Sequence, residues 1–240
     1  LILISGSDSG GSFVLALVLF AVIAIAAGIG GILVQRRRRE GMQQWADSHG
    51  FSFEAGDTDD VMVRLQSVPL FQRGRRQRAY NTIRGRLDAF HGSVSVVMGD
   101  YSYVETQGSG ENKRNVTRRF SYAMVVLPFD TPSVSLRTET FLDRFAGALG
   151  FDDIDFESAE FSERFHVKAS DRRFAYDLIH PRMMEHLLAA TYPGFVLDSG
   201  LLVMTSGTRT WEVLELETVL RELRSLLTLW PQHLLPTSGV

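Results

Sequence analysis

The sequence predicts an α+β protein: one N-terminal transmembrane helix, then a cytoplasmic domain with a largely antiparallel sheet and several helices. Three observations predict it. Residues 13–34 are apolar and uncharged, and four arginines stand directly behind them, at 36–39. Past residue 50, short alternating runs broken by Gly- and Asp-containing turns mix with helical periodicities, without strict βαβ order.

Residues 1–12 read as a flexible tail, since Ser5 to Gly11 is rich in Ser and Gly with one acid, Asp8. Residues 13–35 read as the span. The uncharged run Phe13 to Val34 is 22 residues long. At 1.5 Å per residue a helix of that length covers about 33 Å, close to the hydrocarbon core of a bilayer. Ala24-Ile-Ala26 resembles a signal-peptidase site, but no basic residue precedes the run and it exceeds an ordinary signal core. It therefore reads as an anchor. Arg36, Arg37, Arg38 and Arg39 close it, and the positive-inside bias then puts the N-terminus outside and the following 200 residues in the cytoplasm, at the inner membrane. The same arginines suit anionic lipid headgroups. Within the span, Ala24 and Gly28, and Ala27 and Gly31, stand four apart, a spacing that lets another helix approach closely. Membrane helices are rich in glycine in any case.

Residues 36–50 read as a juxtamembrane helix with Met42, Trp45 and Ala46 on one face and Gly50 as its stop. Trp45 suits a membrane interface and a core position equally well.

Residues 51–240 read as the domain. Ile83 to Val104 carries one strand pattern and Val116 to Leu127 another. The turn-rich Gln107 to Asn112 lies between, which predicts a hairpin. Thr138 to Leu149 has helical spacing, Phe151 to Phe156 and Phe165 to Ala169 read as strands, and Asp171 to Ile179 and Pro181 to Ala190 as helices. Asp198-Ser-Gly200 between Phe195–Leu197 and Leu201–Met204 predicts a second hairpin. Val213 to Leu229 is an amphipathic helix stopped by Trp230-Pro231.

The chain has no cysteine, which excludes disulfides, thiolate zinc sites and cysteine catalysis. Its net charge is −3, but residues 73–119 hold ten Lys/Arg against four Asp/Glu, while residues 120–240 hold ten against seventeen. Such a split offers one surface to anions, or folds back into ordinary surface ion pairs.

Candidate chemistry is thin. On a strand, Asp153, Asp155 and Glu157 would share one face, where carboxylates suit a hard cation or acid–base work. The calcium-loop glycine and terminal glutamate are missing, so a charged solvent face is the simpler reading. Six arginines lie between Arg73 and Arg86. Arg73, Arg75, Arg76 and Arg78 are the candidates for contact with a membrane surface or a partner, because guanidinium forks match phosphate and carboxylate. Nucleic acid is not expected, since only Tyr80 is available there to stack on bases. The six histidines show no metal-ligand spacing, and no nucleophile elbow, phosphate loop or dinucleotide fingerprint is present. No catalytic residue, cofactor or metal is expected.

The order Leu70-Phe71, Gly74, Asn81, Gly85, Leu127-Pro128, Phe151-Asp-Asp-Ile-Asp-Phe156, Phe161, Arg164-Phe165-His-Val167, Asp171, Phe174-Ala175 and Pro181 resembles a group of bacterial single-span membrane proteins to which no activity is assigned. The likeness covers about residues 70–190. It implies a bacterial source and carries no active site. In layout alone, one span followed by a domain of about 200 residues, the chain is also similar to photosynthetic reaction-centre H subunits.

These readings converge on a non-catalytic accessory or scaffold subunit of a bacterial membrane complex, such as a photosynthetic or respiratory one, whose partners are other integral membrane proteins and anionic lipid. The alternative is a membrane-tethered sensor of an anionic ligand or lipid, with an enzyme as the third choice.

Overall fold

The computed structural model describes residues 9–138 and 153–236. The chain divides into two compact units, residues 1–41 and 42–240. The first is the bulk of helix α1, Ser9–Ser48. It starts inside the stretch read as a tail; residues 1–8 of that stretch lie outside the described residues. Residues 13–34 are exposed on every side, so the helix is apolar all round and long enough to cross a membrane.

In the second unit, Met42 and Ala46 are buried in the core and Trp45 packs against it. The helix end is closed by Gly50 at φ +68°, where the absence of a Cβ removes the left-handed penalty. The Phe51 amide donates to Ala46 O at 2.9 Å and the Gly50 amide to Asp47 O at 3.1 Å, the paired bonds of a glycine-terminated helix.

One sheet of eight strands organises this unit: β1 Ser52–Asp57, β2 Arg75–Ala89, β3 Gly92–Gln107, β4 Arg114–Val126, β5 Val134–Thr138, β6 Phe165–Ala169, β7 Phe195–Asp198 and β8 Leu201–Thr205. Their order across the sheet is β1-β2-β3-β4-β8-β7-β5-β6, and every neighbouring pair is antiparallel. The α+β architecture is as expected from the sequence.

Among the described residues, the helices of this unit are α2 Asp59–Leu65, α3 Ala159–Arg164, α4 Arg172–Leu178, α5 Pro181–Ala189 and α6 Glu215–Thr228. One sheet face buries Ile83, Val96, Met98, Ala123, Leu136 and Val167 in a core shared with α4, α5 and α6. On α6 the apolar positions Leu216, Val219, Leu220, Leu223, Leu226 and Leu227 are all buried, which accounts for its length and its helical spacing. The other face packs Tyr101, Phe120, Tyr122 and Met124 under Val61 and Leu65 of α2 and under Phe71 of a short 3-10 turn, Pro69–Gln72.

The structure corrects several sequence readings. Ile83 to Val104 is not one strand but the hairpin β2–β3, turning at Phe90 and His91 with φ +54° and +62°. Positive φ at both central positions is the type I′ geometry, which usually recruits Asn or Gly; here bulky residues adopt it, and Phe90 packs edge-on against Phe129 and Trp230. Asp153 makes only an isolated bridge to Lys168, and Ile154 and Phe156 tuck into the core from irregular backbone. Strands β1 and β5 and helix α2 were not legible. The helix expected after Thr138 lies outside the described residues, as do Phe151 and Asp152.

Candidate functional site

The arginines singled out in the sequence fall at two places. Arg36 pairs with Glu40 at 2.9 Å along α1, an exposed i,i+4 contact. Arg37 and Arg39 are exposed and Arg38 is half-buried. Ala24, Ala27, Gly28 and Gly31 all lie on the exposed apolar length of α1, and an added Cβ at Gly28 or Gly31 would meet nothing within 4 Å. Trp45 belongs to the domain: its ring stacks on His49 at 4.2 Å and meets Phe51 edge-on at 6.1 Å.

Arg73, Arg75, Arg76 and Arg78 lead into and begin β2. Arg76, at φ +53°, sits in a bulge between Arg75↔Val104 and Arg78↔Ser102. A bulge adds a residue to one strand and re-aims its neighbours. Arg75 donates to the neutral Asn115 side chain at 2.5 Å, two strands away on β4. Arg78 grips Asp57 through Nε and Nη2, at 2.9 and 2.7 Å, and that carboxylate raises its already high pKa. Arg73 is half-buried.

The acidic stretch does not assemble a site. Asp153, Asp155 and Glu157 are exposed, and Asp153 lies 3.8 Å from Lys168. Among the described residues, no group of three His, Asp or Glu is placed to hold a metal. The histidines work singly. His49 bonds Glu217 of α6 at 2.9 Å. His180 accepts the Met183 amide on Nδ1 and therefore donates from Nε2 to Leu229 O at 3.0 Å, capping α5. Burial lowers the His186 pKa, against the pull of Glu222.

What sequence reasoning missed is a buried polar chain through the sheet. Asp100 on β3 is 1% exposed and accepts from Asn81 Nδ2 at 2.8 Å and from Ser121 Oγ at 2.6 Å. Ser121 Oγ in turn accepts the Trp211 backbone amide at 2.9 Å. Asn81 and Ser121 are strand residues of ordinary type and Trp211 lies in the loop after β8, so only register could have brought them together. A second set lies at the start of α6, where Glu215 receives both Nη atoms of Arg209, at 2.6 and 2.5 Å, the Tyr192 hydroxyl, and the Glu212 amide at 2.7 Å. Arg209 first, then Tyr192, hold the Glu215 carboxyl at about 2 against the opposing effect of burial. Burial and Glu215 push the Tyr192 phenol up to about 12. Buried Glu222 accepts the Thr191 and Tyr192 amides at 2.8 and 3.0 Å, satisfying the chain as it leaves α5.

Several residues that carry the bacterial resemblance have structural work. Gly74, at φ +70°, lies under Tyr103, where an added Cβ would stand 2.4 Å from the ring. Gly85 lies under Phe51 in the same way, at 2.3 Å. Asn81, at φ +50°, serves Asp100. Asp171 accepts the Phe174 amide as N-cap of α4, and Pro181 opens α5.

No protein-family model matches the chain, and no curated protein matches it. Among solved structures, the crystal structure of the mycobacterial trehalose monomycolate transport factor A, TtfA, superposes with a TM-score of 0.53 at 16% identity, over 85% of this chain and 98% of that one. What this chain shares with that transport factor is its fold.

Proposed function

We propose that this protein is a non-catalytic accessory subunit of a bacterial membrane complex, anchored by α1 through the inner membrane with its domain on the cytoplasmic side. One combination carries the reading: a span-length apolar helix closed by Arg36 to Arg39, on a chain with the fold of a transport factor. That likeness favours a transport complex over a photosynthetic or respiratory one. The small residues Ala24, Ala27, Gly28 and Gly31 supply a face on which a second membrane helix could pack.

The test is extraction from native membranes in mild detergent. The protein should elute with other integral membrane proteins in fixed proportion. Recovery as a free monomer at every detergent strength overturns the reading. Protease treatment of inverted vesicles should digest residues 51–240, and protection of the domain there reverses the orientation.

A further inference from the structure

The end of β2–β3–β4 overhangs the rest of the sheet. Strand β4 pairs with β8 only from Tyr122 onward, and β1 ends opposite Tyr80. The eight residues 114–121 of β4 thus extend past β8, roughly 25 Å of strand. Pairing brings two segments of sequence together here, 73–78 and 113–119. They carry eight basic residues, against Glu105 and Glu111 on the connecting strand and turn.

Two of the eight are matched by carboxylates: Arg78 by Asp57 at 2.7 Å and Arg118 by Glu105 at 2.6 Å. Arg76, Lys113, Arg114 and Arg119 are exposed and have no ion-pair partner among the described residues. Among the described residues, exposed Arg75 bonds the neutral Asn115 and no carboxylate. The register sets Arg78, Ser102 and Arg119 in one row and Arg75, Val104 and Thr117 in the next. With β3 and β4 in unbroken register, Arg75, Arg78 and Arg119 share one face with Thr106, Asn115 and Thr117, and Arg78 and Arg119 stand about 10 Å apart across two strand spacings.

We infer that this overhanging basic end docks on anionic lipid headgroups, whose phosphates are received by Arg75, Arg76, Lys113, Arg114 and Arg119. Protein partners are gripped through aromatic and aliphatic anchors in a desolvated centre. The aromatics here, Tyr101, Tyr103 and Phe120, are buried under the 3-10 turn and offer none. A small anion would want a concave pocket, and two cavities formed by the described residues, one beside Leu136 and Arg137 and one beside Pro128 and Asp130, are lined by other residues. A lipid surface asks only for clustered, solvated cations, and a chain tethered by its own apolar helix meets headgroups at high effective concentration. The inference rests on the membrane-anchored half of the proposed function and is independent of the accessory role.

The chain has no cysteine, so Ser109→Cys in the exposed β3–β4 turn gives a single labelling site on the full-length protein. Labelled protein is placed in nanodiscs of phosphatidylcholine alone or of an equal mixture with phosphatidylglycerol. Energy transfer to a headgroup-attached acceptor is then read. Transfer should be about threefold higher in the anionic discs, and about 0.5 M salt should remove the difference. Replacing Arg75, Lys113, Arg114 and Arg119 by Ala should abolish it, whereas Lys at the three arginines should keep it, because a headgroup surface reads charge rather than fork geometry. The salt arm needs no variant and stands even if the Ala variant folds poorly. Equal transfer in both discs, or a difference that survives the Ala variant with an unchanged thermal midpoint, overturns the inference. So does crosslinking of the label to a protein, not lipid, in native membranes. A monomer in the detergent test would leave this result untouched.

Discussion

Asn81 donates its side-chain amide to Asp100 at 2.8 Å, and both residues are shut away from solvent. Removing the acceptor takes a buried hydrogen bond from two donors at once, Asn81 Nδ2 and Ser121 Oγ. Asp100→Ala should therefore cost about 3 kcal/mol in chemical denaturation, since two buried hydrogen bonds to a carboxylate are lost together. A change under about 1 kcal/mol would mean the chain of bonds is dispensable.

Gly85 and Phe51 form a coupled pair. A methyl group at Gly85 would stand 2.3 Å from Phe51 Cδ1, so the ring must leave its place between Trp45 and the sheet. Gly85→Ala should destabilise by about 2 kcal/mol, as overpacking does. In a Phe51→Ala background the same change should cost clearly less, and additive effects in that double-mutant cycle would refute the contact.

The pH response of Glu215 has a defined sign. Its folded pKa is about 2 against an ordinary value of 4.5, with Arg209 the leading cause. A depressed carboxylate contributes stability that is complete above 4.5 and fades as pH falls toward 2. Glu215→Gln should lower the thermal midpoint at neutral pH, and the gap to the wild type should close across that acid window. A gap independent of pH would contradict the assignment. The expected effect is modest, because Arg209 is half exposed.

Burial should separate two carboxylate contacts that look alike on paper. Arg78 and Asp57 are bidentate but largely exposed, so Arg78→Ala should change stability by less than about 1 kcal/mol. Glu222 is 6% exposed and holds two backbone amides, so Glu222→Ala should cost about 3 kcal/mol. Urea denaturation of the two variants decides it, and equal losses would be the contrary result.

What the sequence revealed depended on whether the cause was local. The apolar length of α1, the amphipathic α6 and the Ser199-Gly200 hairpin, with φ +51° and +70°, each follow from a short periodic or turn signal. Strand β5 did not, although Val134-Ser-Leu-Arg-Thr138 alternates apolar and polar, because the run is only five residues long and its polar positions, Ser135 and Arg137, are buried at 2% and 5% exposure where alternation alone would put solvent. Strand β1 is short, polar and at the sheet edge, where packing selects little. The charge run at Arg73 to Arg78 was visible, but its union with Lys113 to Arg119 is a product of strand register, which no single segment encodes.

The strand order also sets a timetable. Strands β1 to β4 are neighbours in sequence and in space, so they can pair as soon as residue 126 is synthesised. The two halves of the sheet are stitched where Met124 faces Val203, residues about 80 apart along the chain. Until that last strand leaves the ribosome, the inner edge of β4 stays open to any other strand. A nascent chain halted before residue 201 is thus the form most exposed to mispairing, and the one a chaperone would have most reason to hold.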